Sequence, residues 1–182
     1  MILISIIFFL LLIQHPVTSE LNNSITQIKK TLNAVKKSKY QHLIVYPNND
    51  AGSKFILKEI KKEKLNYIST LNLAEYKTLL TGKMVLLGNS SSGIHEASSF
   101  KVPVINIGSR QEGREKPRNV INVNYNTDEI FKAIKKVTSK VFQDKIKNIR
   151  NPYGDGKSSM RIINIIKKLN LKDFNTQKKL TY

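Results

Sequence analysis

A chain of 182 residues, 40% of them hydrophobic, has the usual size of one domain and can bury a sizeable core, which excludes a disordered polypeptide. It has no cysteine, and its three histidines stand apart at 15, 42 and 95, so disulfides and thiolate metal sites are excluded and no metal-ligand spacing is left. The formal charge of +18 would attract polyanions, yet the lysines are spread from Lys29-Lys30 to Lys167-Lys168 on the polar faces of predicted helices. They read as a general bias toward Lys, Asn and Ile, so neither a nucleic-acid nor a membrane partner is expected.

Met1 to Ile13 is nearly all apolar. It lacks the basic start and small-residue cleavage site of a secretory signal, and it is shorter than the ~20 residues that span a bilayer. It reads as a buried strand of a parallel sheet, ended by Gln14-His15-Pro16-Val17-Thr18. A signal-like segment stays open as the alternative. The chain then divides into this segment (1–13), a main domain (14–170) and a polar tail (171–182).

Ile25, Ile28, Leu32 and Val35 recur at helical spacing, followed by a strand from Gln41 to Tyr46 and a loop from Pro47 to Ser53. A second helix carries Phe55, Ile56 and Ile60, Tyr67-Ile68 is a short strand, and Leu71 to Leu80 is helical. Strands follow at Met84 to Leu87, Val102 to Ile107 and Val120 to Val123. Asn126 then caps a helix, with Glu129 placed to bond back to it.

Strands alternating with helices imply right-handed crossovers, hence an α/β fold with a parallel sheet flanked by helices. Ligands of such sheets sit outside the carboxyl ends of the strands. Four unusual loops follow predicted strands: His15-Pro16, Asn48 to Ser53, Gly88-Asn89-Ser90-Ser91-Ser92-Gly93, and Gly108 to Arg114. The serine turn opens a helix and has the outline of a phosphate site, because a helix start carries unbonded N–H groups and glycine admits an oxyanion close to the backbone. Each loop also has a plain reading. The serines cap a helix, His15 is a core histidine, Asp50 is a cap, and Arg110 and Arg114 are surface charges.

Together the motifs resemble the C-terminal half of the hydrolysing UDP-N-acetylglucosamine 2-epimerases. The resemblance rests on Gln14 to Thr18, Tyr46 to Ser53, Gly88 to Gly93 with Glu96, Val102 to Arg114, and Tyr153-Gly154-Asp155-Gly156, over roughly residues 9–170. It implies a GT-B fold, two Rossmann-like domains facing a cleft, of which this chain is the C-terminal, nucleotide-holding one. Carried over residue by residue, Ser91 and Ser92 hold the diphosphate, Glu96 receives the ribose hydroxyls, and Asn48 is a nucleotide-binding position. His15 and Arg110 lie near the phosphates, with His15 stabilising the leaving group. Asp50, Gly88, Asn89, Gly93, Gln111 and Arg114 support the loops.

The implied chemistry removes UDP from a 2-acetamido sugar and hydrates the resulting glycal to N-acetylmannosamine, for sialic-acid-like amino-sugar synthesis. It needs no metal or other cofactor. The family's N-terminal domain, with the carboxylates that act on the sugar, has no counterpart in these residues. The expected partners are a UDP-sugar and either that domain or further copies of the chain. The expected location is the cytoplasm, with secretion left open by the apolar start. The alternatives are a UDP-sugar-binding module without catalysis and a basic nucleic-acid-binding protein. Lysine at 58 and 61, where animal members place basic residues for a regulatory nucleotide, argues against feedback inhibition.

Overall fold

The computed structural model describes residues 8–170. Residues 8–152 and 153–170 belong to two separate compact units. The first contains six strands: β1 (Phe9–Ile13), β2 (Gln41–Val45), β3 (Tyr67–Ile68), β4 (Met84–Gly88), β5 (Val104–Ile107) and β6 (Val120–Val123). All are parallel, in the order β3-β2-β1-β4-β5-β6. The helices between them are α1 (Ser24–Ser38), α2 (Ser53–Lys62), α3 (Leu73–Thr81), α4 (Ser92–His95), α5 (Thr127–Val137) and α6 (Lys140–Ile146), with 3-10 turns at Thr18–Asn23 and Ala97–Phe100.

The apolar run expected to be a buried strand supplies the middle of this sheet. β1 pairs with β2 on one edge and β4 on the other, and Leu10, Leu11 and Leu12 have no exposed surface. Residues 1–7 of that run lie outside the described residues. Both faces of a parallel sheet are covered, so no polar alternation is needed, and the side chains still divide by strand period. Leu10 and Leu12 join Ile28, Leu32, Ile56, Ile60, Ile130 and Ile134 in the core under α1, α2 and α5. Leu11 joins Leu80, Met84, Leu86 and Ala97 in the core under α3 and the second 3-10 turn.

Several boundaries move for local reasons. β5 begins at Val104 rather than Val102, because Pro103 has no N–H to give the ladder and the Val102 N–H donates to the Ala97 carbonyl at 3.0 Å. α3 begins at Leu73, fixed by a full capping box: the Glu75 N–H donates to Asn72 Oδ1 at 2.9 Å and the Asn72 N–H to Glu75 Oε2 at 2.8 Å. At Asn126 only half of the expected box forms. Its side chain accepts from the N–H groups of Asp128 and Glu129, while its own N–H goes to the Asn124 carbonyl. α6 was not anticipated; Ser139 caps it by accepting the Phe142 N–H.

The second unit holds α7 (Ser158–Ile166). Before it, Gly154 and Gly156 take positive φ, and both Asp155 oxygens accept from the Arg161 guanidinium, at 2.7 and 2.8 Å. That pairing and the Lys157 N–H hold the Asp155 carboxyl well below the usual carboxylate range. Met160, Ile162, Ile163, Ile165 and Ile166 are all exposed on this helix.

Candidate functional site

The four loops singled out in the sequence follow β1, β2, β4 and β5, which are adjacent in the sheet. From β1 the chain crosses to β2 under α1, and from β4 it crosses to β5 over the opposite face. Strand order therefore reverses between β1 and β4, and the carboxyl ends there open a crevice. Gly88 closes β4 at that point with φ +123°, where an added Cβ would lie 2.1 Å from the Ile13 carbonyl oxygen. Only glycine permits the two strand ends to come so close.

Asn89, with no exposed surface, ties the loops together. Its Oδ1 accepts the His15 N–H at 2.7 Å and its Nδ2 donates to the His15 carbonyl at 2.9 Å. Its backbone carbonyl accepts from Gln111 Nε2 at 2.8 Å and Arg110 Nη1 at 3.2 Å. One residue thus joins the segments after β1, β4 and β5. Gln111, whose sequence suggested no individual role, is 1% exposed and acts as a strut.

The His15 ring is set from the other side. The Asn48 N–H donates to His15 Nδ1 at 3.0 Å, which assigns the proton of the neutral ring to Nε2. Burial and the nearby Arg110 lower its pKa below 6.5, with Asp50 and the Asn48 bond opposing. Asn48 Nδ2 donates to Asp50 Oδ2 at 2.5 Å, and Arg110 Nη2 stands 3.8 Å from that oxygen. Ser53 Oγ bonds the carbonyls of Asn48 and Asp50, holding the loop closed.

This ring has a measurable consequence. Between its lowered folded pKa and 6.5 the unfolded state binds more protons, so stability from the neutral ring is present above 6.5 and is lost as pH falls through the folded value. The melting temperature of the ligand-free protein should drop more between about pH 7 and about pH 5.5 than that of His15→Gln. Equal slopes would show that the ring titrates normally.

The serine turn departs from expectation. It opens no long helix: α4 is a single turn, followed by the 3-10 turn Ala97–Phe100. Ser91 makes no capping bond, and the Gly93 N–H is already given to the Ser90 carbonyl. One turn carries little macrodipole, so an anion placed here would meet hydroxyls rather than a helix end. Ser90 Oγ and Ser92 Oγ lie 3.0 Å apart, sharing a hydrogen bond. Gly93 lets the turn sit on β5, where a Cβ would be 2.9 Å from Val104 Cγ1. Glu96 is one turn beyond Ser92, its N–H on the Ser92 carbonyl at 3.0 Å, and it is exposed. Burial raises the pKa of Tyr76, whose hydroxyl stands beside Ser92, and the Glu96 charge raises it further.

Arg114 is not gathered with the others; it is exposed, with Nη1 3.3 Å from His95 Nε2. Two residues escaped the sequence reading. Tyr125 lies across Gly108, where a Cβ would be 2.3 Å from its ring, and burial pushes its hydroxyl up to about 12, with the nearby Asn89 and Arg110 opposing. Glu20 takes the Ser109 hydroxyl and, at 2.5 Å, Gln27 Nε2. The position of Tyr125 two residues past a strand end was the available signal. A cavity of about 530 Å³ lies here, lined by Pro16 to Glu20, Asp50, Ser109, Arg110 and Glu112, within the usual range of small-molecule sites. Among the described residues no group of three His, Asp or Glu is arranged to hold a metal ion.

A doubly wound parallel sheet whose loops after β1, β4 and β5 meet at the switch point is a Rossmann-like domain, with Arg110 lining the cavity there and His15 and the serine turn on the same loops. Comparison with known proteins gives the family. The profile of the UDP-N-acetylglucosamine 2-epimerases matches residues 8–167, and the chain belongs to that family. It is 37% identical over 166 residues to a UDP-N,N'-diacetylbacillosamine 2-epimerase (hydrolyzing) of Legionella pneumophila, covering 88% of this chain and 43% of that protein. An S. aureus MnaA-UDP co-structure superposes with a TM-score of 0.68 at 22% identity, over 96% of this chain and 48% of the other. A Methanocaldococcus jannaschii UDP-GlcNAc 2-epimerase in complex with UDP-GlcNAc and UDP gives 0.65 at 23%, over 88% and 45%. The fold is that of the C-terminal Rossmann-like domain of a GT-B protein, and the chain spans less than half the length of these relatives.

Proposed function

We propose that this chain is the UDP-binding half of a hydrolysing 2-epimerase acting on a UDP-2-acetamido sugar, UDP-N-acetylglucosamine or a diacetamido relative. The observation that carries the reading is the Asn89 junction, which presents His15, Arg110 and the serine turn together at the switch point. Ser91, Ser92 and Arg110 hold the diphosphate, Glu96 receives the ribose hydroxyls, and Asn48 sets both the loop and the His15 tautomer.

In the reaction, the C2–H and C1–O bonds of the sugar break, UDP leaves with the bonding electrons, and a 2-acetamidoglucal remains. Water then adds its hydroxyl to C1 and a proton to C2 from the other face, giving N-acetylmannosamine from the N-acetylglucosamine substrate. His15, donating through Nε2–H, and Arg110 meet the charge that grows on the departing diphosphate, a preorganised contribution worth about 3 kcal/mol for one well-placed donor. The proton acceptor and donor for C2 belong to the other half of the enzyme. The apolar side chains exposed on α7 suit a helix that this other half covers. Cytoplasmic amino-sugar synthesis, for sialic-acid-like products, is the setting that this chemistry fits.

The test is UDP added to the purified chain. At about a hundred times its dissociation constant UDP should stabilise the fold by roughly 2.7 kcal/mol, a rise of several degrees in melting temperature, while the chain alone should release no UDP from UDP-N-acetylglucosamine. No thermal response to UDP would sink the reading. UDP binding without turnover, even when the complementary half of a relative is supplied, would favour a non-catalytic nucleotide-sugar-binding module.

A further inference from the structure

Eleven of the chain's 26 lysines, scattered in the sequence, are brought by the fold onto one helical layer. α1, α2 and α5 cover one face of the sheet, since their apolar residues meet the same side chains of β1, β4 and β5, and α1 lies between the other two. These helices carry eleven lysines against three carboxylates, Glu59, Asp128 and Glu129. On the opposite face α3 carries one lysine and one glutamate, and α4 and the following 3-10 turn carry neither. These three helices hold +8 of the chain's formal +18 in 36 of its 182 residues, and ion pairs engage four of their eleven lysines, Lys29 and Lys62 with Glu59, Lys36 with Glu63 and Lys37 with Asp128.

We infer that this layer is a docking surface for an anionic lipid bilayer. Three helices side by side spread this charge over one broad face, which suits an extended array of headgroups. All of the layer's cations are lysine, and the chain's five arginines, the side chains suited to bidentate phosphate and base contacts, lie outside α1, α2 and α5. The Phe131 ring, which could stack on a base, is already covered by Lys37 and Lys135 at 4.9 and 4.5 Å. Ile25 and Phe55, 39% and 53% exposed in the first turns of α1 and α2, give the surface two apolar side chains that can enter a headgroup region. The nucleotide crevice opens at the strand ends rather than on this layer, so both can be occupied together.

Sedimentation with vesicles tests the inference. The full chain should pellet with vesicles containing about one-third phosphatidylglycerol and not with pure phosphatidylcholine, and added salt should weaken binding. Lys30→Glu with Lys58→Glu and Lys136→Glu, all exposed on the layer, should lower partitioning about a hundredfold. Lys77→Glu with Lys83→Glu and Arg118→Glu, off the layer and also exposed, change the net charge equally and should cost little. Melting temperatures of both triples confirm that each is folded. Equal losses in the two triples would mean that only net charge matters and would overturn the assignment. So would no binding to anionic vesicles, or tighter binding to RNA than to vesicles at the same salt.

Discussion

Gly88→Ala should cost about 4 kcal/mol or more and lower the melting temperature by roughly 8 to 16 °C. Two effects add. The backbone at Gly88 has φ +123°, a conformation whose strain in a residue with a Cβ is about 1–3 kcal/mol. The new Cβ would also lie 2.1 Å from the oxygen and 2.6 Å from the carbon of the Ile13 carbonyl, and 3.2 Å from the Gln14 nitrogen. All of these are backbone atoms at or just beyond the end of the central strand, so no rotamer change can clear them. Gly113→Ala is the matched control: φ is +73° but nothing lies within 4 Å of the added Cβ, so only the strain applies. If Gly88→Ala melted within about 2 °C of the parent, β1 and β4 would not be locked at the crevice as described.

Arg110→Ala should weaken UDP binding about thirtyfold, the loss expected for charge-assisted hydrogen bonds worth roughly 2 kcal/mol. The guanidinium is partly exposed, with 27% of its side-chain surface open and only a loose 3.8 Å contact to Asp50. Little of its charge is therefore used up before a diphosphate arrives. Folding should barely change, because the Asn89 carbonyl that Arg110 touches is also held by Gln111 at the shorter distance of 2.8 Å. Arg110→Lys should fall between the two, keeping charge and losing the planar fork. Titration calorimetry of the three proteins decides the matter, and an unchanged dissociation constant in Arg110→Ala would remove the residue from the site.

The central strand and the four loop positions were legible because they depend on local signals. An uninterrupted apolar run is what a doubly covered strand requires, and small polar residues after such runs mark the ends where a parallel sheet opens. The Asn89 junction was not legible as geometry. Its bonds to His15 join residues 74 positions apart, and nothing in the local pattern separates an asparagine that clamps another strand from one that only turns the chain. The serine turn was misjudged in a similar way. Its composition suits a helix start, but Glu96 at φ −112°, ψ −43° ends α4 after one turn, a break no local residue pattern marks. α7 shows the reverse limit: its apolar side chains are exposed among the described residues, so no buried stripe marks it as a helix.

The central position of β1 also bears on how the chain is made. During synthesis β1 emerges before either of its neighbours. β2 is the first neighbour made after it, and its other edge has no partner until β4, at Met84–Gly88, leaves the ribosome. At ordinary elongation rates that interval is roughly 4 to 14 s. Through it the nascent chain shows an apolar strand with one unsatisfied edge, the form most prone to pairing with another polypeptide. Expression at reduced temperature or with added chaperone should therefore raise the soluble yield, by guarding one edge of five residues.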